Sequence, residues 1–257
     1  MKKVTIQVFV VLASLLCVSI SLLAQPIDST NSSTKKYKNV IRYNLSGALI
    51  FGFNRNIIFG YERVIGKNQS ISVNFGKASF PDIIAITTDS VGVSGDRKNS
   101  GTNFSIDWRF YLAKENKYSI PHGLYIGPYY SFNGLNRDNN FTLLRSSGAT
   151  ELIATHTDFD IHTIGMEMGY QFVLWKRLAL DFLMVGPGIS SYTINAKYEG
   201  NLSEKDRERL SNAIQQIITQ KFPGMNYVIG DKELNASGVL DKWDIGFRYL
   251  IHIGFLF

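Results

Sequence analysis

The chain has 257 residues, of which 45% are hydrophobic, with a formal net charge of +6 and one cysteine. A single cysteine excludes an internal disulfide, and this length suits one β domain. The positive charge does not indicate nucleic-acid binding, because the basic excess lies in the first residues and in the short connections between predicted elements, where it would meet anionic lipid headgroups. We predict no nucleic-acid partner and no cofactor.

The first 24 residues have the pattern of a secretory signal. Lys2 and Lys3 precede an apolar run that ends at Ala24, which is the order of a charged segment and an apolar segment in such signals. The alternative is a membrane-anchoring helix, since the run approaches the roughly 20 residues that a span needs. Cleavage near Ala24 would also remove Cys17 and leave no thiol. Residues 25–37 are polar and are predicted to be a flexible periplasmic lead.

Eight segments then alternate between apolar and polar residues. A period of two is the pattern of a strand with two unlike faces. The clearest example runs from Asn103 to Leu112, where Phe104, Ile106 and Trp108 share one face. Four of the segments have 10 or 11 residues, within the 9–11 residues of a tilted membrane strand. The eight segments are 41–51, 57–62, 71–76, 103–112, 123–132, 163–172, 178–184 and 243–257.

Alternation alone does not say which face points inward, but glycines and connection lengths do. The polar face carries many glycines, among them Gly127, Gly165 and Gly169, as the crowded interior of a narrow barrel requires. Connections also alternate between short and long, which is typical of periplasmic turns and outer loops. The short ones are 64–69, 113–122 and 175–177, and the long ones are 81–101, 134–158 and 193–242.

These features predict an all-β fold, a closed antiparallel transmembrane barrel of about eight strands that covers residues 38–257. Apart from the first segment, the sequence contains no run that approaches a helical membrane span, and a closed barrel also satisfies every backbone group in lipid. The predicted location is the outer membrane of a Gram-negative cell, with outer-membrane lipid as a partner.

The last segment also resembles the terminal signal by which outer-membrane proteins are recognised by their insertion machinery. Its alternating apolar residues end on an aromatic ring. We therefore expect a transient partner in that machinery during assembly. The residues of this predicted assembly signal are Tyr249, Ile251, Ile253, Phe255 and Phe257.

Charged side chains recur on the polar face. Isolated buried charges are very costly, so such groups pair with one another. A network that fills the lumen is the favoured interpretation, and a proton path, an acid–base pair of carboxylates or a selectivity ring are the alternatives. The predicted network consists of Arg42, Glu62, Asp107, Arg109, Glu167, Asp181, Asp244 and Arg248.

One helix is predicted, in the last outer loop. Ser203 provides an N-cap, apolar residues from Leu210 to Ile218 recur at helical spacing, and 222–224 is a Phe-Pro-Gly stop. Its apolar stripe is predicted to pack on the rim of the barrel, with a partner-binding groove as the alternative.

Several short stretches resemble small, largely uncharacterised outer-membrane β-barrel proteins common in Bacteroidota. The resemblance covers roughly residues 38–257 and lies in the order of the stretches. It implies the barrel and supplies no catalytic residues. The stretches are Gly60-Tyr61-Glu62-Arg63, Ser70-Ile71-Ser72-Val73, Tyr125-Ile126-Gly127-Pro128-Tyr129, Gly169-Tyr170-Gln171 and Val185-Gly186-Pro187-Gly188.

Catalytic and metal-binding patterns are weak. None of His122, His156, His162 and His252 forms a close pair at metal-ligand spacing, and none is followed by the His-x-Ser arrangement of membrane lipid hydrolases. The predicted function is non-enzymatic: a structural barrel, or one that binds an envelope protein through its outer loops. An enzyme that modifies envelope lipid and a narrow channel are the alternatives.

Overall fold

The computed structural model describes residues 37–79, 91–112, 118–144, 150–221 and 238–257. The predicted signal 1–24 and lead 25–37, apart from Tyr37, lie outside these ranges. Eight antiparallel strands, each paired with its sequence neighbours, close into one barrel in which β1 pairs with β8. The predicted fold class is confirmed. The strands are β1 (Asn39–Asn44), β2 (Ile57–Val64), β3 (Gln69–Lys77), β4 (Val91–Tyr111), β5 (Gly123–Leu144), β6 (Thr150–Leu174), β7 (Leu178–Tyr198) and β8 (Val239–Leu256).

The barrel has two unlike ends. At one, which we call the turn end, β2 joins β3 and β6 joins β7 through tight turns. In the second of these, Trp175 and Lys176 both have positive φ and Arg177 N donates to the carbonyl of Leu174 over 3.1 Å, as in the turns that suit strand twist. The opposite end, which we call the extended end, carries the long parts of β4 to β7.

A helix replaces the second half of the first predicted strand. Helix α1 (Leu45–Phe51) begins at Asn44, whose side chain accepts from Gly47 N at 2.9 Å, and ends at Gly52 with φ of +100°. An Asn cap and a glycine with positive φ are ordinary helix boundaries. The prediction that a strand continues to Phe51 is therefore wrong.

Four strands are two to three times as long as the predicted segments. β4, β5, β6 and β7 have 21, 22, 25 and 21 residues. Much of the three predicted outer loops is therefore strand: 91–101, 134–144, 150–158 and 193–198. The rest of the first loop, 81–90, lies outside the described residues, and so does 145–149.

At one level along the barrel, the apolar and polar residues of the long strands exchange faces. This exchange explains why the outer parts of these strands were predicted to be loops. On β6, the outward face is apolar from Phe172 to Ile164 and polar from His162 to His156, while the inward face is polar from Gln171 to Thr163 and apolar from Ile161 to Ile153, apart from two threonines. On β5, the outward face changes between Phe132 and Asn136. Alternation continues through both strands with inverted polarity, although Arg137 and Asn139 on the inward face of β5 stay polar and buried.

Two kinds of interior follow from this inversion. Towards the turn end the lumen is filled with polar side chains. At the extended end the strands enclose an apolar core that includes Phe141, Ile153 and Phe159. Helix α2 (Glu204–Lys221) buries Leu210, Ile214 and Ile218 in that core, among other residues.

The one predicted helix is confirmed as α2, together with its cap, and its predicted stop at 222–224 lies outside the described residues. Asp206 N donates to Ser203 Oγ at 3.2 Å, and Ser203 Oγ donates to Asp206 Oδ2 at 2.6 Å. The apolar stripe faces the interior of the barrel and so is not available as a groove for a partner. None of the described helices is long and apolar enough to cross a membrane.

Candidate functional site

Seven of the eight predicted lumen charges meet in one buried cluster. These are Arg42, Glu62, Asp107, Arg109, Glu167, Asp181 and Arg248. Their inward direction follows from the alternation of each strand, and the narrow barrel brings them into contact. Asp244 lies elsewhere: it is 3.5 Å from Lys242 Nζ, and both side chains are about one-third exposed.

Asp181 on β7 is one centre of the cluster. Its Oδ2 lies 2.9 Å from Arg42 Nη1 and 2.9 Å from Arg109 Nη2. Its Oδ1 accepts from Tyr125 Oη at 2.7 Å, and His252 Nδ1 is 3.2 Å from Oδ2. One carboxylate thus ties together side chains from β1, β4, β5 and β8.

Glu62 on β2 is a second centre, nearer the turn end. Its Oε1 accepts from Ser70 Oγ at 2.6 Å and from Tyr111 Oη at 2.9 Å. Its Oε2 lies 3.4 Å from Arg42 Nη1 and 3.5 Å from Arg109 Nη1. The hydroxyl donors compensate for the loss of water around a carboxylate that is fully buried.

Arg248 is a third centre. Its Nη2 contacts both Asp107 and Glu167. The guanidinium carbon lies 4.0 Å from the centre of the Tyr129 ring, and that of Arg109 lies 4.2 Å from the Tyr125 ring. Rings that face cations in a site without water add to the attraction.

The cluster closes the lumen in cross-section. Its four carboxylates and three guanidinium groups lie on six of the eight strands, and all but Arg248 are at most 2% exposed. Charges held this way are matched by opposite charges and hydrogen bonds rather than by water. The arrangement therefore acts as a packed polar core.

Several members of the cluster are not among the predicted residues. His252, Tyr111, Tyr125 and Gln171 all lie on the inward, polar face of their strands. The signal available in the sequence was their position on the polar face of the alternating segments. Aromatic hydroxyls and a histidine were not counted because they carry no formal charge.

A cavity of about 310 Å³ lies next to the cluster on its extended side. Arg248, His252 and Asn74 mark its boundary with the cluster, and Leu135, Ile161 and Tyr192 mark its boundary with the apolar core. Most of its remaining lining consists of serine, threonine and asparagine side chains and residues of α1. These polar lining residues are Asn44, Ser46, Asn56, Ser79, Asn103, Ser105, Ser131, Asn133, Thr163 and Ser190.

The four histidines have separate environments. His156 lies on the outward face of the extension between two carboxylates, with Nδ1 2.5 Å from Asp138 Oδ1 and Nε2 3.0 Å from Asp158 Oδ1. The hydrogen bond with Asp138 raises the pKa of His156 above its ordinary value. His162 Nδ1 is 2.9 Å from Tyr130 Oη, and the His122 ring stacks on Tyr118. Within the described ranges, no group of three or more metal-ligating side chains could hold a metal ion.

The five residues of the predicted assembly signal lie along the last strand. Tyr249, Ile253, Phe255 and Phe257 are outward and exposed, and Ile251 is half-buried. Phe257 is also part of the closure, because its backbone N donates to Asn39 O at 3.0 Å and its carbonyl accepts from Asn39 N at 3.2 Å. The targeting role itself stays a prediction.

Comparison with known proteins identifies no family. No family model matches the chain, and no curated protein matches it. One solved structure found in the comparison is that of CarO from Acinetobacter baumannii, with 8% sequence identity over 88% of this chain and 100% of that chain and a TM-score of 0.39. The function of the chain must therefore be inferred from its own residues.

Proposed function

We propose that this chain is an outer-membrane β-barrel that does not conduct and that acts through the surface of its extended end, as a binding site for an envelope protein or as a subunit of an envelope complex. The observation that carries the proposal is the polarity inversion. A section of the barrel with an apolar outer face and a polar interior suits lipid. A section with a polar outer face and an apolar interior suits water.

The apolar belt has the dimension that a membrane requires. It covers nine residues on β5, from Leu124 to Phe132, and nine on β6, from Ile164 to Phe172. A tilted membrane strand needs about 9–11 residues. Among the outward side chains of these segments, Ile164 and Met166 are 66% and 53% exposed, and Ile126 and Met168 are each 39% exposed. So large an exposed apolar patch would be unfavourable in water.

The sealed lumen favours an interaction role over a channel. The charge cluster fills the barrel at one level, and the apolar core with α2 fills it at another. The carboxylates of the cluster are engaged by guanidinium groups and hydroxyls, which favours a structural role for them over acid–base catalysis. Within the described residues, the extension then presents a surface of strands on which Asp138, His156 and Asp158 are accessible.

Two cysteine variants on one face of β6 test the membrane assignment. Both are made with Cys17→Ser, since Cys17 is the one cysteine of the sequence. Leu152 and Met166 both point outward and are 63% and 53% exposed. On intact cells, a membrane-impermeant maleimide should label Leu152→Cys and leave Met166→Cys unlabelled, whereas both should be labelled after the protein is unfolded, when each thiol reaches water and can ionise. Equal labelling of both sites by the impermeant reagent would contradict the proposal.

Planar bilayers test the sealed lumen separately. The refolded barrel should give no stable single-channel current. A large and stable conductance in the wild type, which is lost when the pore is blocked at the extended end, would favour the channel alternative instead.

A further inference from the structure

The wall of the barrel is not continuous strand beside α1. The ladder between β1 and β8 runs from Val40–Leu256 to Asn44–His252, and beyond it α1 takes the place of a strand. One side chain joins the helix to β8, because Ile251 N donates to Ser46 Oγ at 3.1 Å. The edge of β8 that faces α1 therefore lacks a paired strand over residues 246–250.

The cavity reaches this edge. On β4 to β7 it is lined by alternate residues only, for example Ser131 and Asn133 on β5. On β8 it is lined by five consecutive residues, 246–250. A cavity confined to the inside of a strand meets every second residue, so contact with all five means that the cavity extends to the open edge.

Three apolar residues form its mouth. Ile50, Phe247 and Tyr249 line the cavity and are also 53%, 71% and 57% exposed. Through β6–β7–β8 pairing, Ile164 is in register with Ile189, and Ile189 with Ile245. Phe247 and Tyr249 are thus two and four residues inside the apolar belt, so the mouth opens within the belt and not into water.

Several residues that line the cavity have buried polar atoms without partners among the described residues. These atoms are Arg248 Nε and Nη1, His252 Nε2, Asn56 Oδ1 and Ser79 Oγ. The His252 side chain is 98% buried and that of Arg248 is 90% buried. Buried polar groups are costly unless they are hydrogen-bonded, so these atoms favour an occupant that offers polar atoms of its own.

The charges select the kind of polar group. The cluster already contains four carboxylates against three guanidinium groups, a formal charge of −1 with His252 neutral. An anionic occupant would add to this excess in a place without water. Hydroxyl and ester oxygens can accept from Arg248 without adding charge, and hydroxyl groups can also donate to Asn56 Oδ1.

We propose that this cavity binds the uncharged, oxygen-rich head group of a single-chain amphiphile from the membrane, with the acyl chain leaving through the mouth at Ile50, Phe247 and Tyr249. The volume of about 310 Å³ is at the small end of ligand sites and suits a head group rather than a whole lipid. The inference rests on the membrane assignment proposed above.

The test uses the full barrel in phospholipid nanodiscs and a monoacylglycerol whose acyl chain carries a photoreactive diazirine. After irradiation, peptide mapping should place the crosslinks at residues 246–250 and 49–53. Crosslinks spread evenly around the apolar belt, as a bulk lipid would give, would overturn the proposal. Because this measurement uses the wild type, it does not depend on whether a variant folds.

A substitution that fills the cavity tests the site, and the same substitution on the outer face of the barrel is its control. Ser131 is buried and lines the cavity, so Ser131→Phe should reduce crosslinking about tenfold or more, since the oxygen contacts to Arg248 are lost. Thr102→Phe adds the same ring on the exposed outer face of β4 and should have no effect. Both must show the mobility shift of a folded barrel on unheated gels, and unchanged crosslinking in folded Ser131→Phe would contradict the proposal.

Competition tests the head group. Unlabelled monododecanoylglycerol should displace the probe at about tenfold lower concentration than dodecanoate, which has the same chain with a charged head. Equal or better competition by dodecanoate would overturn the assignment of an uncharged head. If Met166→Cys is shielded from the impermeant reagent while crosslinks are even around the belt, the amphiphile site fails and the membrane assignment stands. If Met166→Cys is accessible, the membrane assignment fails.

Discussion

Arg42 and Asp181 are 139 residues apart in the sequence, and the 2.9 Å contact between Nη1 and Oδ2 joins β1 to β7 inside the lumen. Strand β8 lies between these two strands in the wall. The contact therefore links elements that no backbone ladder joins, and the same carboxylate also holds Arg109, Tyr125 and His252. Removal of this one group should affect the closure of the whole barrel.

Asp181→Ala should lower the free energy of unfolding by about 3–5 kcal/mol, because it leaves buried cations without their partner. Urea titration of the refolded barrel in detergent would measure it. Asp244→Ala is the matched control: it removes a carboxylate from the same polar face, but the ion pair with Lys242 is partly exposed, and its loss should change the free energy by less than about 1 kcal/mol. Similar losses in both variants would contradict the central role of Asp181.

Gly127→Ala should destabilise the contact between β4 and β5. A Cβ atom there would overlap the backbone carbonyl of Trp108, so the two strands must separate, at about 1–3 kcal/mol. At Gly92 the nearest atom to an added Cβ is Thr142 Cβ at 3.9 Å, and Gly92→Ala should be neutral. Thermal unfolding followed by gel mobility would compare the two, and a neutral Gly127→Ala would show that the strands are not so close.

Leu210→Ala should loosen the extension and spare the membrane belt. Leu210 is fully buried in the apolar core, and truncation of such a residue costs about 2–5 kcal/mol. Hydrogen exchange should therefore quicken at 135–143 on β5 and stay unchanged at 124–132. Asn212→Ala, on the exposed face of α2, should alter neither segment. Uniformly faster exchange in both segments would mean that the extension and the belt unfold as one unit.

His156 should make the extension more stable in mild acid. Its pKa is raised above the value of 6.5, chiefly by the hydrogen bond with Asp138. The stabilisation is then fully present below about pH 6.5 and is lost as the pH rises through the raised pKa. In an NMR titration the ring of His156 should titrate at higher pH than in Asp138→Asn. Titration at the same pH in both proteins would remove Asp138 as the cause.

Much of the barrel could be predicted from alternation, because alternation records that a strand has two unlike faces. It does not record which face is apolar, so residues 150–158 were predicted to be part of a loop, because the polarity of the strand is inverted there. The apolar residues at 45, 49 and 51 fit a strand, and the helix that forms there instead depends on contacts with Asn56 and β8.

The charge cluster was predicted from the inward, polar face of the strands and from electrostatics, and two of its differences from the structure have physical causes. Asp244 lies on the predicted face of its strand, but it is four residues from Arg248 along β8. Its carboxylate therefore pairs with Lys242 and not with the guanidinium groups of the cluster. His252 lies on the same face of β8 as Arg248. It was not predicted because a neutral ring was not expected to join an ion-pair network. The cavity could not be predicted, since it depends on where the β1–β8 ladder stops.

That ladder also sets the mechanical behaviour of the barrel. In the described chain, β1 and β8 share five residue pairs, whereas β5 and β6 share 22. A force applied at Tyr37 should therefore peel β1 away at a low load, while the β5–β6 hairpin should resist to the end of the trace. The seam is the place where a cellular unfolding or extraction machine would begin, and a single-molecule pulling trace would show it as the first and smallest step.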